Sequence, residues 1–498
     1  MSRDQIDLPV VVDRRAALPL SVQLGRQLRE AMSDGRVRAG ERLPSSRALA
    51  SALGVSRTVV TEAYEQLYAE GWLEGRHGSG TFVADIAPSS ADLDVRALGS
   101  GMARPSTPGS AIDLRPGIPW VGGLDTPAWR RAWRLATTVP PAARPDPHGL
   151  PGLRAILVDY LRRSRGVACP VERVLVTRGA TNGLDLLAAT VLRPGDRVGV
   201  EEPGYADARS VLAARGAEVV PCPVDEHGLI VDGLPDGLRI VYTTPSHQYP
   251  LGGRLPVPRR QALLAWARRN CALIAEDDYD SEFRYDVAPL PALYGLAPDV
   301  TVYLGTTTKT LAPDVGVGWL VARTDLVEAI ADIRERFNDR TAVVPQEAVR
   351  ILLERGDLDR HVRRMRAEYG RRRAAVVHAL GHLPLRGDTA GLHLVAELPR
   401  ATADRVVERA ERRGVLLATL ESRYAGTPGA HGLVIGYGGA ALAQIRTGCS
   451  LVRELVREAA SGREPAAGGR AARPGRSGAP PRPVRLGAVA LPSAPPSW

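Results

Sequence analysis

Between residues 126 and 458 the chain alternates short β-branched runs with stretches of helical period, and this alternation limits the fold more than any other feature. The runs are RVLVT from 173, RVGVE from 197, RIVYTT from 239, ALIAEDD from 272, TVYLG from 301 and GWLVA from 318. Runs this short and this apolar read as strands covered on both faces. A helix between successive strands carries the chain back to the same sheet edge, so the pattern predicts an α/β domain with a mainly parallel sheet. No internal repeat is visible.

Residues 18 to 83 have a different rhythm. Val22, Leu24, Leu28 and Met32 define the apolar face of a first helix from about Leu20 to Ser33, ended by Asp34-Gly35. A second short helix carries Arg47, Leu49, Ala50 and Leu53, and Gly54-Val55 makes the turn. Ser56 is a natural N-cap for a third helix from Arg57 to about Glu70. WLEGRHGSGTFV then reads as two strands around a Gly-rich turn. Helix, turn, helix and wing is a DNA-reading order. The later turns of the third helix carry Glu62, Glu65 and Glu70, so contact should concentrate at its start, on Ser56, Arg57, Thr58 and Thr61. There the free N–H groups favour phosphate and Arg57 can reach a base edge. Arg47, Arg76 and His77 are expected to touch the DNA backbone, a solvated surface charge being the plainer alternative for each alone.

Composition divides the rest. Residues 85–125 and 459–498 are rich in Ala, Ser, Gly and Pro, with arginines in the second, and read as a linker and a disordered tail. The expected organisation is a winged helix-turn-helix domain at 14–84, the linker, a large domain at 126–458 and the tail. The apolar runs are too short to span a bilayer and MSRDQIDLPVVV has no signal-peptide pattern, so no membrane role and a cytoplasmic location are expected. Cys169, Cys222, Cys271 and Cys449 are far apart, without metal-ligand spacing, and read as reduced thiols. A net charge of +10 suits a polyanionic partner.

One residue points to chemistry. The chain has 65 Lys plus Arg, and Lys309 is the only lysine. A guanidinium stays protonated, whereas a desolvated amine can lose its proton and condense with a carbonyl. Survival of a single lysine under an arginine-rich coding bias is the bland alternative. Lys309, however, follows the apolar run Val302 to Leu304 and the three threonines 306 to 308.

PDPHGLPGLRAILVDYLRRSRGV, TRGATNGLDLL, GDRVGVEEPGYADAR, TPSHQYPLGG, EDDYDSEFRY and GTTTKTL occur in that order. Together they resemble the aminotransferase-like domain of fold-type I pyridoxal-phosphate proteins. LPSSR, LGVSRTVV and GRHGSGTFV upstream resemble the GntR-type winged helix-turn-helix, and TPSHQYP with EDDYDSEFRY resembles the MocR branch that fuses the two. The resemblance implies pyridoxal 5'-phosphate as cofactor and Lys309 as its Schiff-base residue. It implies Asp277 at the ring nitrogen, Tyr279 at the phenolic oxygen and Tyr205 stacked on the ring. Gly179, Ala180 and Thr181 would hold the phosphate at a helix N-terminus, with Thr306 and Thr308 adding hydroxyl donors.

Two departures stand out. The family commonly has a phosphate-contacting arginine where this chain has Gly316, and Arg178 is a substitute to consider. Transaminases place an arginine for the substrate carboxylate where this chain has Val434; either Arg209 or Arg423 does that job, or the ligand lacks the carboxylate. The expected function is a homodimeric regulator that binds a double-stranded operator and senses pyridoxal phosphate or an amino-compound. The alternatives are a dimerisation scaffold without cofactor and an active aminotransferase.

Overall fold

The computed structural model describes residues 8, 10–76, 80–85 and 111–460. The chain divides into two compact units, Met1–Ser106 and Thr107–Trp498. The tail expected from 459 lies outside the described residues beyond Ala460.

In the first unit α1 (Leu20–Ser33), α2 (Ser46–Leu53) and α3 (Arg57–Ala69) precede the wing. Leu24, Leu28, Ala31 and Met32 recur at helical spacing and are buried. Val22, expected on that face, is exposed because Gln23 takes the inward place and bonds the Asp13 and Leu18 carbonyls. Ser45 caps α2 by accepting from Ala48 N at 3.2 Å, and Ser56 caps α3 by accepting from Val59 N at 3.4 Å. Gly54 ends α2 at φ +65°, a left-handed position suited to glycine. The wing strands β2 (Leu73–Arg76) and β3 (Gly80–Val83) are joined by a third, β1 (Arg42–Leu43), in the antiparallel order β1-β3-β2. Two residues are too short a run for alternation to show, so β1 left no sequence signal.

The second unit begins with β4 (Ile112–Asp113), which pairs in parallel with β15 (Val415–Leu416). Composition assigns residues 111–125 to the linker, yet they pack as part of this unit: Leu114 and Leu124 are buried. The apolar residues there are too few to show a period, and the strand that pairs with β4 lies hundreds of positions along the chain.

The main sheet comprises β5 (Val174–Thr177), β6 (Arg197–Glu202), β7 (Glu218–Asp225), β8 (Gly228–Leu229), β9 (Leu238–Thr243), β10 (Leu273–Asp278), β11 (Thr301–Thr306) and β12 (Gly318–Val321). Its order is β5-β12-β11-β10-β9-β6-β7-β8, with only β12 and β8 opposed to the other six. All six β-branched runs of the sequence fall on these strands. Helices α6 (Ala180–Val191) and α9 (Thr324–Arg336) cover one face through Leu184, Leu187, Val327 and Ile330. Helix α8 (Val257–Arg269) covers the other with Leu263 and Trp266. A smaller antiparallel sheet, β13 (Leu385–Arg386), β14 (His393–Glu397), β17 (Gly432–Gly436) and β16 (Ala418–Thr419), packs on the long α11 (Asp357–Leu380) and on α13 (Leu442–Ala460). Among the described residues no helix is long and apolar enough to cross a membrane, and no group of His, Cys, Asp and Glu could hold a metal ion.

Because β5, β6, β9, β10 and β11 share a direction, their C-terminal ends open on one edge. In such sheets this edge is where ligands bind. Here it gathers Gly179, Tyr205, the segment 244–250, Asp277 and Lys309.

Candidate functional site

Asp277 sits near the end of β10 on the α6 face of the sheet, two residues beyond Ala275. Ala275 registers with Tyr242 on the parallel neighbour β9. Side chains two residues apart share a face, so the Tyr242 phenol reaches along the sheet and donates to Asp277 Oδ2 at 2.5 Å. Asp277 Oδ1 is buried and has no hydrogen-bond partner among the described residues. Burial pushes this carboxyl up to about 7, with the Tyr242 donor and the Lys309 charge pulling the other way. The residue before it, Glu276, points to the opposite face and accepts from Leu293 N and Tyr294 N. Alternation along one strand thus separates a carboxylate with a free oxygen from one whose oxygens are occupied.

Lys309 follows β11. Its Nζ donates to the Gly117 carbonyl at 2.5 Å, a contact supplied by the segment that composition assigns to the linker. Burial lowers its pKa, opposed by Asp280, Asp277 and Asp207. The neutral amine, the nucleophilic form, is therefore more accessible than in water.

Gly179 lies between β5 and α6 at φ +121°, and a side chain there would approach Thr306 Oγ1. On its other side, a Cβ on Gly318 would come within 2.5 Å of the Gly179 Cα, so the two backbones need glycine to pass this closely. Gly179, Ala180 and Thr181 open α6, with the Thr306 and Thr308 hydroxyls 2.8 Å apart beside them. The result is a cradle of helix N–H groups and hydroxyls suited to a phosphate. Arg178 is turned away from it, onto Asp339 at 2.8 Å. Gly316 ends a 3-10 turn at φ +58°, a conformation that disfavours the arginine common in the family.

Tyr205 precedes α7 (Ala206–Ala214) and donates to Asp207 Oδ2 at 2.9 Å. Its ring stands edge-on to Tyr249, which in turn is edge-on to Tyr279 and His393. Tyr279 donates to the His247 carbonyl at 3.2 Å and meets His247 Nδ1 at 3.0 Å; that nitrogen also faces Asp280 Oδ2 at 2.9 Å. His247 Nε2 is buried without a hydrogen-bond partner among the described residues. Val434 shares a sheet face with Val395 and His393, but its side chain offers no charge. It is fully buried among Leu251, Val395 and Leu420.

The fold therefore brings Gly179, Thr306, Asp277, Tyr279, Tyr205 and Lys309 to one sheet edge. Sequence reasoning missed Gly117, Tyr242, His247 and Tyr249. His247 and Tyr249 lie inside the TPSHQYP motif. Tyr242 could be found only with the β9–β10 register, and Gly117 only with the chain folded.

In the first unit Ser56, Arg57 and Thr58 are exposed at the start of α3, and Arg47 is exposed on α2. Arg57 Nε donates to Ser46 Oγ at 3.3 Å, and the Thr61 hydroxyl donates to the Arg57 carbonyl at 3.0 Å. That bond engages Thr61 with its own helix. Arg76 ends β2, and His77 lies outside the described residues. Arg42, on the unforeseen strand β1, lies against Gly80 of the wing, so it adds a cation beside α2 and α3.

Residues 20–83 match the model of the gntR family of bacterial regulatory proteins, and residues 122–423 match that of aminotransferase class I and II. The chain is 40% identical over 437 residues to the HTH-type pyridoxine biosynthesis transcriptional regulator PdxR of Corynebacterium glutamicum, covering 87% of this chain and 95% of that protein. It is 34% identical to the probable rhizopine catabolism regulatory protein MocR of Rhizobium meliloti, covering 89% and 95%. The fold resembles a kynurenine aminotransferase of Pyrococcus horikoshii, solved with PMP, at a TM-score of 0.66 and 24% identity over 73% of this chain and 98% of that one. With a gntR-type head, an aminotransferase-fold body and relatives aligned across both, this chain belongs to the MocR-type transcriptional regulators.

Proposed function

We propose that the large unit binds pyridoxal 5'-phosphate through Lys309 and that the state of this site sets how the winged head engages its operator. The observation that carries the reading is the buried Asp277 Oδ1, without a partner among the described residues, at the same sheet edge as the only lysine. A buried carboxylate oxygen without a donor is costly, and a protonated ring nitrogen is the partner it lacks. The residues fit the group: Lys309 for the aldehyde, Asp277 for the ring nitrogen, Tyr205 for the ring face, and the α6 N-terminus with Thr306 and Thr308 for the phosphate. When bound, the cofactor supplies a carbonyl that reports on amines. The chain's own part is to hold Lys309 partly desolvated, with the Gly117 carbonyl accepting from its amine, and to fix Asp277 through Tyr242.

The name of the PdxR relative makes the cofactor itself a candidate signal for this chain, and an amino-compound that exchanges with Lys309 is another. Either acts on DNA binding only if it favours one arrangement of the regulator over another. A cytoplasmic homodimer presenting two heads to two half-sites completes the reading. Gly316 favours a second reading, a scaffold that has lost its cofactor. The burial of Val434 in an apolar cluster weighs against a transaminase that grips its substrate through that strand.

The test is a visible absorbance spectrum of the full chain with added pyridoxal phosphate, beside Lys309→Ala. The expected result is a band in the wild type, fixed by borohydride, that the variant lacks. Absence of a band in the wild type refutes the cofactor reading and leaves the scaffold.

A further inference from the structure

We propose that a cavity on the α8 side of the large unit is a second ligand site, which takes a small organic anion with an apolar body. It shares no residue with the sheet edge that holds Lys309, so the inference stands apart from the cofactor reading.

The cavity has a volume of about 1220 Å³. It lies between the first turns of α8, the turn that joins β7 to β8, the loop around residues 290–296 and the end of β13. Elements of both sheets thus wall it, and junctions of this kind are where ligand pockets form. Of its lining residues, Leu251, Leu255 and Leu264 are buried, while Val257 and Leu296 are exposed at 61% and 54%. Large apolar side chains left open beside a cavity give a ligand apolar surface to cover.

Arg260 supplies the polar anchor. It lines the cavity from the first turn of α8 and is 6% exposed. Its Nε donates to the Leu255 carbonyl at 2.9 Å, Nη1 to the Pro291 carbonyl at 2.8 Å and Nη2 to the Pro245 carbonyl at 3.3 Å. A guanidinium has five N–H groups, so these bonds leave one N–H on each Nη, and every acceptor is uncharged. The acids that act on Arg260 are Glu276 and Asp278. Burial holds the Glu276 carboxyl up at about 7, and both its oxygens already accept, from Leu293 N and Tyr294 N. Asp278 is engaged by Arg165 and by the Tyr303 hydroxyl. A buried cation answered only by carbonyls is costly, and an anion in the cavity is the partner for which the fold leaves room.

The rest of the wall favours the same sign. Arg254 Nε meets Asp388 at 2.9 Å, Arg268 Nε meets Asp299 at 2.8 Å and Arg386 pairs with Glu397. Asp299 and Glu397 stand outside the lining, so the cavity meets four guanidiniums, Arg260 among them, and two carboxylates, Glu226 and Asp388. Its volume exceeds the ~300–1,000 Å³ of ordinary small-molecule pockets, so a bare inorganic ion would be held loosely. The fitting ligand brings an apolar body to the leucines and an acid group to Arg260.

The test uses the full chain and 8-anilinonaphthalene-1-sulfonate, an apolar anion that fluoresces out of water. The probe should saturate at one per chain, with the same affinity in Lys309→Ala, whose substitution lies at the other site. Octanoate should displace it at about a tenth or less of the concentration that 1-octanol requires, the value of one good charge-assisted pair. Arg260→Met should weaken the probe by about tenfold or more. Gln261→Glu adds a carboxylate at an exposed lining position beside Arg260 and should weaken it by about threefold. That second variant carries the test if Arg260→Met does not fold. A probe that does not saturate at one per chain, that octanol displaces as well as octanoate does, or that binds the folded variants as it binds the wild type overturns the proposal. Weaker binding to Lys309→Ala would put the probe at the sheet edge and overturn it too.

Discussion

Replacing Asp277 by Asn should stabilise the cofactor-free protein while weakening its hold on the cofactor. Asp277 is buried, and its carboxyl is raised from 3.8 to about 7, by burial first. Between those two values the folded chain keeps a proton that the unfolded chain has released. Stability therefore falls as pH rises through this window, and the full cost is present above pH 7. A gap of about three pH units corresponds to on the order of 4 kcal/mol at pH 8, and to about half that at pH 5. Asn carries no charge at any pH and still offers Tyr242 an acceptor. For a unit of this size the gain at pH 8 should show as a rise in Tm of about 5 °C, shrinking as the pH is lowered. Thermal melts of both proteins from about pH 5 to 8.5, spanning the window between the two pKa values, with and without pyridoxal phosphate, make the comparison. The cofactor should raise the Tm of the wild type more than that of Asp277→Asn, because only the carboxylate gains a counter-charge. A variant that melts at or below the wild type at pH 8, or a difference that is flat across pH, would refute the reasoning.

Gly316→Arg should tighten cofactor binding by about tenfold or more through a restored phosphate contact, and should cost about 1 kcal/mol of stability because the site is left-handed at φ +58°. A titration of the cofactor band reads the first and a denaturant melt the second; unchanged affinity would mean that the phosphate is already neutralised. In the head, Arg57→Ala should weaken binding to duplex DNA and lower the slope of log K against log salt by about one for each phosphate that Arg57 neutralises. An unchanged slope in a fluorescence anisotropy titration would remove Arg57 from the phosphate interface.

Much of this architecture is written locally. The β-branched runs that become β5, β6, β9, β10, β11 and β12 are apolar on both faces wherever they lie, so their burial is legible before any partner is known. The caps Ser45 and Ser56 act on backbone groups three residues away, and the head's helices follow from them and from the spacing of Leu24, Leu28 and Met32. The site residues drawn from motifs, Gly179, Tyr205, Asp277 and Lys309, come out on one sheet edge because parallel strands place their C-terminal ends together.

What the sequence by itself determined is therefore the two-part plan, the parallel sheet and the identity of the lone amine, since each depends on residue type and near-neighbour spacing. Only the tertiary structure decided which partners those residues keep. That Tyr242 holds Asp277, that Gly117 accepts from Lys309 and that Arg178 turns to Asp339 all depend on strand register or on contacts between segments far apart in the chain. Hydrogen bonds and charge pairs are decided over a few ångströms, and at that range sequence distance carries no information until the chain has closed.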